Sequence, residues 1–375
     1  MFILLAAVIM TAAILLLPSG EYREESVQAE GRITITDAYG REVTLDGPAE
    51  RVAYSHHSLS DSLRLTGAWD QVVGRDANID DEHLFPGFKD IPAISQRMNA
   101  LDLNYEEIVE IHPDVLILPK FDWDTGSDDI IRTLEPDIPV VFLDTLDPSP
   151  DVFNDTIQKI GLITGNEERA DEYLEFYNGV YDTIVSKTSL VDPKDRPRVF
   201  FRGIGKTSAD QIVTYGKDMT WFRHFLDAAG AENVAKDLPI SYGDVDREWL
   251  LGQDIDVIVV KCWEERYPGV FGYSTTDRGE AIAGAEEIRN GIMEMDVFSK
   301  TDAVRNGDVY LFDDSMDATQ RNIIGLAYLA KWLYPEEFSD LDPEAIHQEY
   351  ISRFMEADYD LSQSGLFAYP AKAAV

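Results

Sequence analysis

Two adjacent histidines, His56-His57, and three separated cations, Arg202, Lys261 and Arg321, are the side chains best suited to hold a small molecule. A neutral imidazole can coordinate a metal, and a guanidinium offers oriented donors to an oxyanion. Large rings accompany them: Tyr54, Phe121, Trp123, Tyr215, Trp221 and Trp263. Rings supply contact area and cations supply direction, a combination that suits a large, flat or anionic metal chelate. Adjacent residues on an extended segment point to opposite sides, so only one of His56 and His57 is expected to reach such a ligand. The remaining histidines, at 83, 112, 224 and 347, have no spacing resembling a zinc site. The single cysteine, Cys262, excludes an intrachain disulfide and any cysteine-rich metal centre, and reads as a packed thiol.

These residues fall where strands are expected to end. Arg51-Val-Ala-Tyr54 reads as a strand entering the Ser55-His56-His57 loop, and Arg198-Val-Phe-Phe201 as a strand entering Arg202-Gly203. A fifteen-residue pattern then occurs twice, 142 positions apart: Asn104 to Leu118, and Asp246 to Val260. Each copy opens on a helix-capping side chain, places Glu106 or Glu248 in the first turn, and runs into a continuous apolar stretch. That is the order of a short helix followed by a strand buried on both faces. Phe121 and Trp263 follow the two runs at equivalent spacing. The helices after the first strands both end on Leu-x-x-x-Gly-Ala, at Gly67-Ala68 and Gly230-Ala231, where glycine is the expected stop. Asp313, Asp314 and Met316 follow a further strand at Val309–Phe312. Ligands of open α/β sheets lie beyond the carboxyl ends of strands, which selects this set.

Between the halves, Ala170, Tyr173, Leu174, Tyr177, Val180, Tyr181 and Ile184 follow helical spacing after a start at Asn166. A helix from there to Lys187 would be roughly 33 Å long, enough to bridge two lobes. The expected fold is α/β: two similar lobes with mostly parallel central sheets, one long connecting helix, and a ligand cleft between them. Ile33–Thr36 and Val43–Leu45 read as a leading hairpin. The expected division is residues 31–150 for the N-terminal lobe, 151–195 for the interlobe helix and 196–335 for the C-terminal lobe. Residues 336–375 form a C-terminal helix, capped by Asp342 with Pro343 first, and a tail.

The chain has 375 residues and a formal charge of −38, from 70 acidic against 32 basic side chains. Such a surface repels nucleic acid and anionic lipid, and fits a solubility-selected or salt-adapted exterior. Met1 to Leu17 is almost wholly apolar and is broken by Pro18-Ser-Gly20. With the polar tether that follows, residues 1–30 read as a signal peptide or a single N-terminal membrane anchor. No cysteine follows the run, which excludes a lipid-anchored terminus. Gly203-Ile-Gly-Lys-Thr207 resembles a phosphate-binding loop, but the position that needs its first glycine is Phe200, so nucleotide hydrolysis is not expected. No Gly-x-Ser-x-Gly nucleophile turn is present. An enzyme is not expected, and no resident cofactor is required.

With these motifs in order, the chain resembles the substrate-binding proteins of ABC importers for ferric siderophores, haem and cobalamin. The resemblance runs from about Ile33 to Tyr334. It rests on Asp37-Ala-Tyr-Gly-Arg-Glu-Val43, Pro48-Ala-Glu-Arg-Val52, Pro113-Asp114, Gly161-Leu-Ile-Thr-Gly-Asn-Glu-Glu-Arg-Ala170, Ala229-Gly-Ala-Glu-Asn-Val234 and Ala303-Val-Arg-Asn-Gly-Asp-Val-Tyr310. It implies an extracytoplasmic, monomeric receptor that hands a metal chelate to a permease dimer driven by a cytoplasmic ATPase. It also implies that Glu106 and Glu248, one per lobe, dock onto the permease. Among ligands it points first to a ferric siderophore-type complex, with Arg202, Lys261 and Arg321 offsetting an anionic chelate. A corrinoid comes next, then haem; His56 or His57 as axial ligand would favour these tetrapyrrole choices. Related two-lobed folds also serve as metal-cofactor scaffolds or chelatase-like enzymes, but those usually present Cys or His ligands on both sides.

Overall fold

The computed structural model describes residues 31–79, 81–96, 99–121, 126–135, 137–205, 211–317 and 319–371. The apolar N-terminal segment and Trp123 lie outside the described residues. Two parallel sheets carry the chain. In the first, the strands Val72–Gly74, Val52–Tyr54, Val115–Pro119 and Val140–Leu143 lie side by side in that order. In the second, the order is Glu232–Asn233, Arg198–Arg202, Val257–Cys262 and Val309–Asp313, with Ala368–Tyr369 antiparallel at the edge. Numbered within each lobe, both parallel sets read 2-1-3-4. The duplication therefore extends from sequence pattern to topology.

Local chemistry repeats as well. Asn104 Oδ1 accepts from Glu107 N at the start of the helix Tyr105–Ile111, and Asp246 Oδ1 accepts from Glu248 N and Trp249 N at the start of Arg247–Leu251. Asp114 accepts from the backbone N–H of Arg51 at 2.9 Å, and Asp256 from that of Arg198 at 2.8 Å, each carboxylate tying two neighbouring strands together. The helices His57–Leu65 and Thr220–Ala228 end alike. Ala68 N reaches Leu63 O and Gly67 N reaches Arg64 O; Ala231 N reaches Leu226 O and Gly230 N reaches Asp227 O. Gly67 and Gly230 sit at φ of 76° and 70°, the left-handed residue that this pair of capping bonds requires.

The helix Glu167–Thr188 joins the lobes and matches its expected span. Its buried face is aromatic. Tyr177 stacks on Phe153 of the N-lobe helix Pro150–Thr164, with ring centres 3.8 Å apart. At its far end Thr188 Oγ1 donates to Ala228 O in the C-lobe at 2.8 Å. One apolar core consequently runs from the N-lobe through this helix into the C-lobe, with a smaller core on the outer face of each sheet. Buried rings on both sides of a continuous core leave little freedom for the lobes to swing apart. Among the described residues no helix is long and apolar enough to cross a membrane.

Candidate ligand-binding site

In a 2-1-3-4 sheet the crevice opens between the carboxyl ends of strands 1 and 3, where the connections leave in opposite directions. In the N-lobe that point lies between Tyr54-Ser55-His56 and Pro119-Lys120-Phe121. In the C-lobe it lies between Arg202-Gly203 and Cys262-Trp263. Of the expected residues, His56, His57 and Phe121 border the first point, and Arg202, Lys261 and Trp263 border the second.

The histidines depart from the expected geometry. His56 takes φ 86° and ψ 132°, a backbone region that a residue with a side chain rarely adopts, and His57 begins the helix His57–Leu65. The chain is therefore not extended here. The two rings do not diverge but lie together, 4.1 Å apart and tilted by 35°, with Phe121 edge-on to His56 at 5.5 Å. Such a backbone costs on the order of 1–3 kcal/mol and persists only where neighbours enforce it. Here the buried Asp76 accepts from His56 N at 2.9 Å and from Ser95 Oγ at 3.0 Å. His56 Nδ1 lies 2.6 Å from Ser58 Oγ, which itself donates to Thr145 Oγ1 at 2.7 Å. Ser58 N also donates to His56 Nδ1 at 3.4 Å, so Ser58 engages this ring nitrogen through both its backbone N–H and its hydroxyl. His57 is solvent-exposed yet surrounded by protein, the situation of a cleft wall rather than a convex surface. Burial, then the neighbouring ring, holds His56 well below the usual imidazole range. Burial also lowers His57, against the opposing pull of Asp76, Asp61 and Asp314. Both rings are neutral at neutral pH, the state in which imidazole binds metal.

Lys261 and Arg321 are not surplus charge, contrary to expectation. Lys261 lies within the strand Val257–Cys262, and its Nζ donates to Asp317 Oδ1 at 2.7 Å, with Tyr215 Oη at 3.3 Å. Burial alone would favour losing that proton, but Asp317 ahead of the other neighbours keeps Lys261 charged. Arg321 Nη2 donates to Asp61 Oδ1 at 2.8 Å, and the guanidinium lies over the Tyr273 ring. Tyr273 in turn shares a 2.7 Å hydrogen bond with His347 Nε2. Each buried cation is matched by a buried carboxylate that sequence reading had not selected.

Arg202 ends its strand, and its Nη2 donates to Gln211 O at 3.1 Å. With Lys261, Trp263 and Arg266 it lines a narrow recess of about 10 Å³. Trp263 brings a buried Nε1–H with no partner among the described residues. Asp61 Oδ2, Asp317 Oδ2, Arg321 Nε and both amide atoms of Gln320 are likewise buried and unpartnered. Buried polar atoms are almost always satisfied, so this cluster marks the floor where water or a ligand completes the bonding. Tyr215 is buried, with Trp221 packed on it at 5.6 Å between ring centres and only partly covered. Tyr54 is buried within its strand, set behind the histidines. Burial, then Asp314, pushes the Asp313 carboxyl up to about 7. Cys262 is fully buried and burial pushes its thiol up, as expected of a packed thiol.

Glu106 and Glu248 stand apart from this floor, both exposed and in no ion pair among the described residues. Nor do the described residues include any group of three or more His, Cys, Asp and Glu side chains able to hold a metal ion.

Comparison with known proteins agrees with this architecture. The molybdate-binding protein MolA of Haemophilus influenzae is 22% identical over 355 residues, 87% of this chain and 91% of the relative. A cobalamin-binding protein of Halobacterium salinarum is 26% identical over 259 residues, 66% of this chain and 64% of the relative. The TroA-like periplasmic binding protein FepB from Veillonella parvula shares the fold, with a TM-score of 0.75 at 24% identity over 89% of this chain and 98% of that one. Residues 52–316, which hold both sheets' parallel strands, match the periplasmic binding protein family, and the chain belongs to that family.

Proposed function

We propose that this protein is the extracytoplasmic receptor of an ABC importer and that its ligand is a bulky, nearly uncharged metal chelate of the corrinoid type. The observation that carries the ligand class is the pairing of Lys261 with Asp317 and Arg321 with Asp61. A cleft floor whose cations are already neutralised offers little to an anionic guest, because its desolvation goes uncompensated and the nearby carboxylates of Asp61, Asp313, Asp314 and Asp317 do not favour a further anion. Neutral rings at His56, His57, Phe121 and Trp263 instead supply flat contact and an axial nitrogen. The cobalamin-binding relative supports the same class.

Arg202 and Arg266 in the C-lobe recess favour a second reading, a ferric siderophore-type chelate whose negative charge would face them. In either case the shared core and the Glu167–Thr188 helix restrict closure to small motions, so affinity comes from a cleft largely formed in advance. The deciding experiment is purification from the producing cell, followed by a visible spectrum and metal analysis. Cobalt with corrinoid bands supports the first reading; iron with a catecholate charge-transfer band supports the second. Titration of the empty protein with cyanocobalamin, followed by tryptophan fluorescence, should then saturate. No quenching by either chelate class would refute the chelate-receptor reading.

A further inference from the structure

Five large apolar side chains are exposed among the described residues: Tyr39, Val109, Leu190, Leu251 and Ile282. Two of them, Val109 at 55% and Leu251 at 57% exposure, occupy the same position in the two copies of the repeat, since 109 plus 142 is 251. The residue before each, Ile108 or Leu250, is fully buried in its lobe's core. Three positions before each exposed aliphatic stands the exposed Glu106 or Glu248. Residues three apart on a helix share a face. Each lobe thus presents a carboxylate beside an uncovered aliphatic side chain, in a chain whose other exposed apolar positions show no such correspondence. Scattered exposed aliphatics need no explanation, but a carboxylate–aliphatic pair repeated at equivalent positions of both lobes does.

We infer that Val109 and Leu251 are the apolar anchors of a two-point docking surface, each seated in a small hydrophobic socket next to a cation on a membrane partner with two equivalent subunits. The inference rests on the importer reading given above and adds the contact that carries residual affinity when salt screens the carboxylates. Charge complementarity selects the partner: an uncompensated carboxylate beside each aliphatic repels the acidic surface of a second copy of this chain and anionic lipid alike. Each aliphatic contributes in proportion to the apolar surface it buries in such a socket, with the charged rim setting orientation.

The test uses right-side-out membrane vesicles from the cell that makes the protein, without ligand. Labelled wild-type protein should bind saturably, and Val109→Ser/Leu251→Ser should weaken binding at least tenfold with an unchanged melting temperature. A photoreactive phenylalanine analogue at position 109 or 251 should cross-link to the same integral membrane polypeptide, whereas one at Leu190 should not. Unaltered binding of the double serine variant, or adducts with a second copy or with lipid alone, would overturn the inference. Glu106→Lys/Glu248→Lys separates the two levels. If that variant binds vesicles normally, the importer reading itself fails; if it loses binding while the serine variant keeps it, only the apolar anchors are refuted.

Discussion

Arg321, which precedes the C-lobe helix Asn322–Leu333, donates to Asp61 on the first N-lobe helix at 2.8 Å, although 260 positions separate them. Both side chains are almost wholly buried, so this ion pair fastens the two lobes at the bottom of the cleft. Removing one member of a buried pair strands the other. Asp61→Leu and Arg321→Met are each expected to cost about 3–5 kcal/mol, and the double Asp61→Leu/Arg321→Met less than either single change. Urea denaturation of the singles and the double closes that cycle, and simple additivity would show that the two residues are not coupled.

Arg202 gives the clearest handle on ligand charge. Arg202→Ala should weaken an anionic ferric chelate at least tenfold and leave cyanocobalamin within about twofold, a difference of roughly 1 kcal/mol or more between ligands. Equal, negligible effects in fluorescence titrations would remove Arg202 from the site.

Asp313 sets a dependence on pH. Its carboxyl titrates near 7 in the folded protein, raised by burial and then by Asp314. An unfolded aspartate titrates near 3.9. Between these values the folded state retains a proton that the unfolded state has lost, so this group makes stability fall as pH rises from about 4 to about 7. Asp313→Asn removes that slope while keeping an acceptor for Ser315. The variant's melting temperature relative to wild type should be higher at pH 8 than at pH 5; the same difference at both values would contradict the assignment.

Gly325 explains how the acidic turn is held. A Cβ there would collide with the Met316 carbonyl and the Phe312 ring, because the helix lies directly on the Asp314–Met316 turn. Gly325→Ala should destabilise by about 1–3 kcal/mol or more and displace Asp313, Asp314 and Asp317 together. Chemical denaturation with a parallel ligand titration reads both effects, and wild-type values in each would show that the turn is not fixed by this contact.

The parts of this fold visible in sequence are those with a local physical signature. Asn104, Asp246 and Asp342 are caps whose side chains meet nearby N–H groups, and the two Leu-x-x-x-Gly-Ala endings fix their own geometry. The aromatic period from Tyr173 to Tyr181 declares a buried helix face. The site's charge balance had no such signature. Asp317 lies 56 residues from Lys261 and Asp61 lies 260 from Arg321, and with 70 acidic residues no carboxylate stands out. The His56 backbone was hidden for another reason: its positive φ is held by Asp76, from the loop after the neighbouring strand Val72–Gly74, not by its own residue type. Ala368–Tyr369 is too short for any alternation to be visible.

That two-residue strand has a consequence for how the molecule matures. The N-terminal sheet has all its strands once Leu143 has been made, whereas the other sheet acquires its last partner only with residues 368 and 369. A chain emerging vectorially would complete one half early and leave the border strand Val309–Asp313 uncapped until residues 368 and 369 follow.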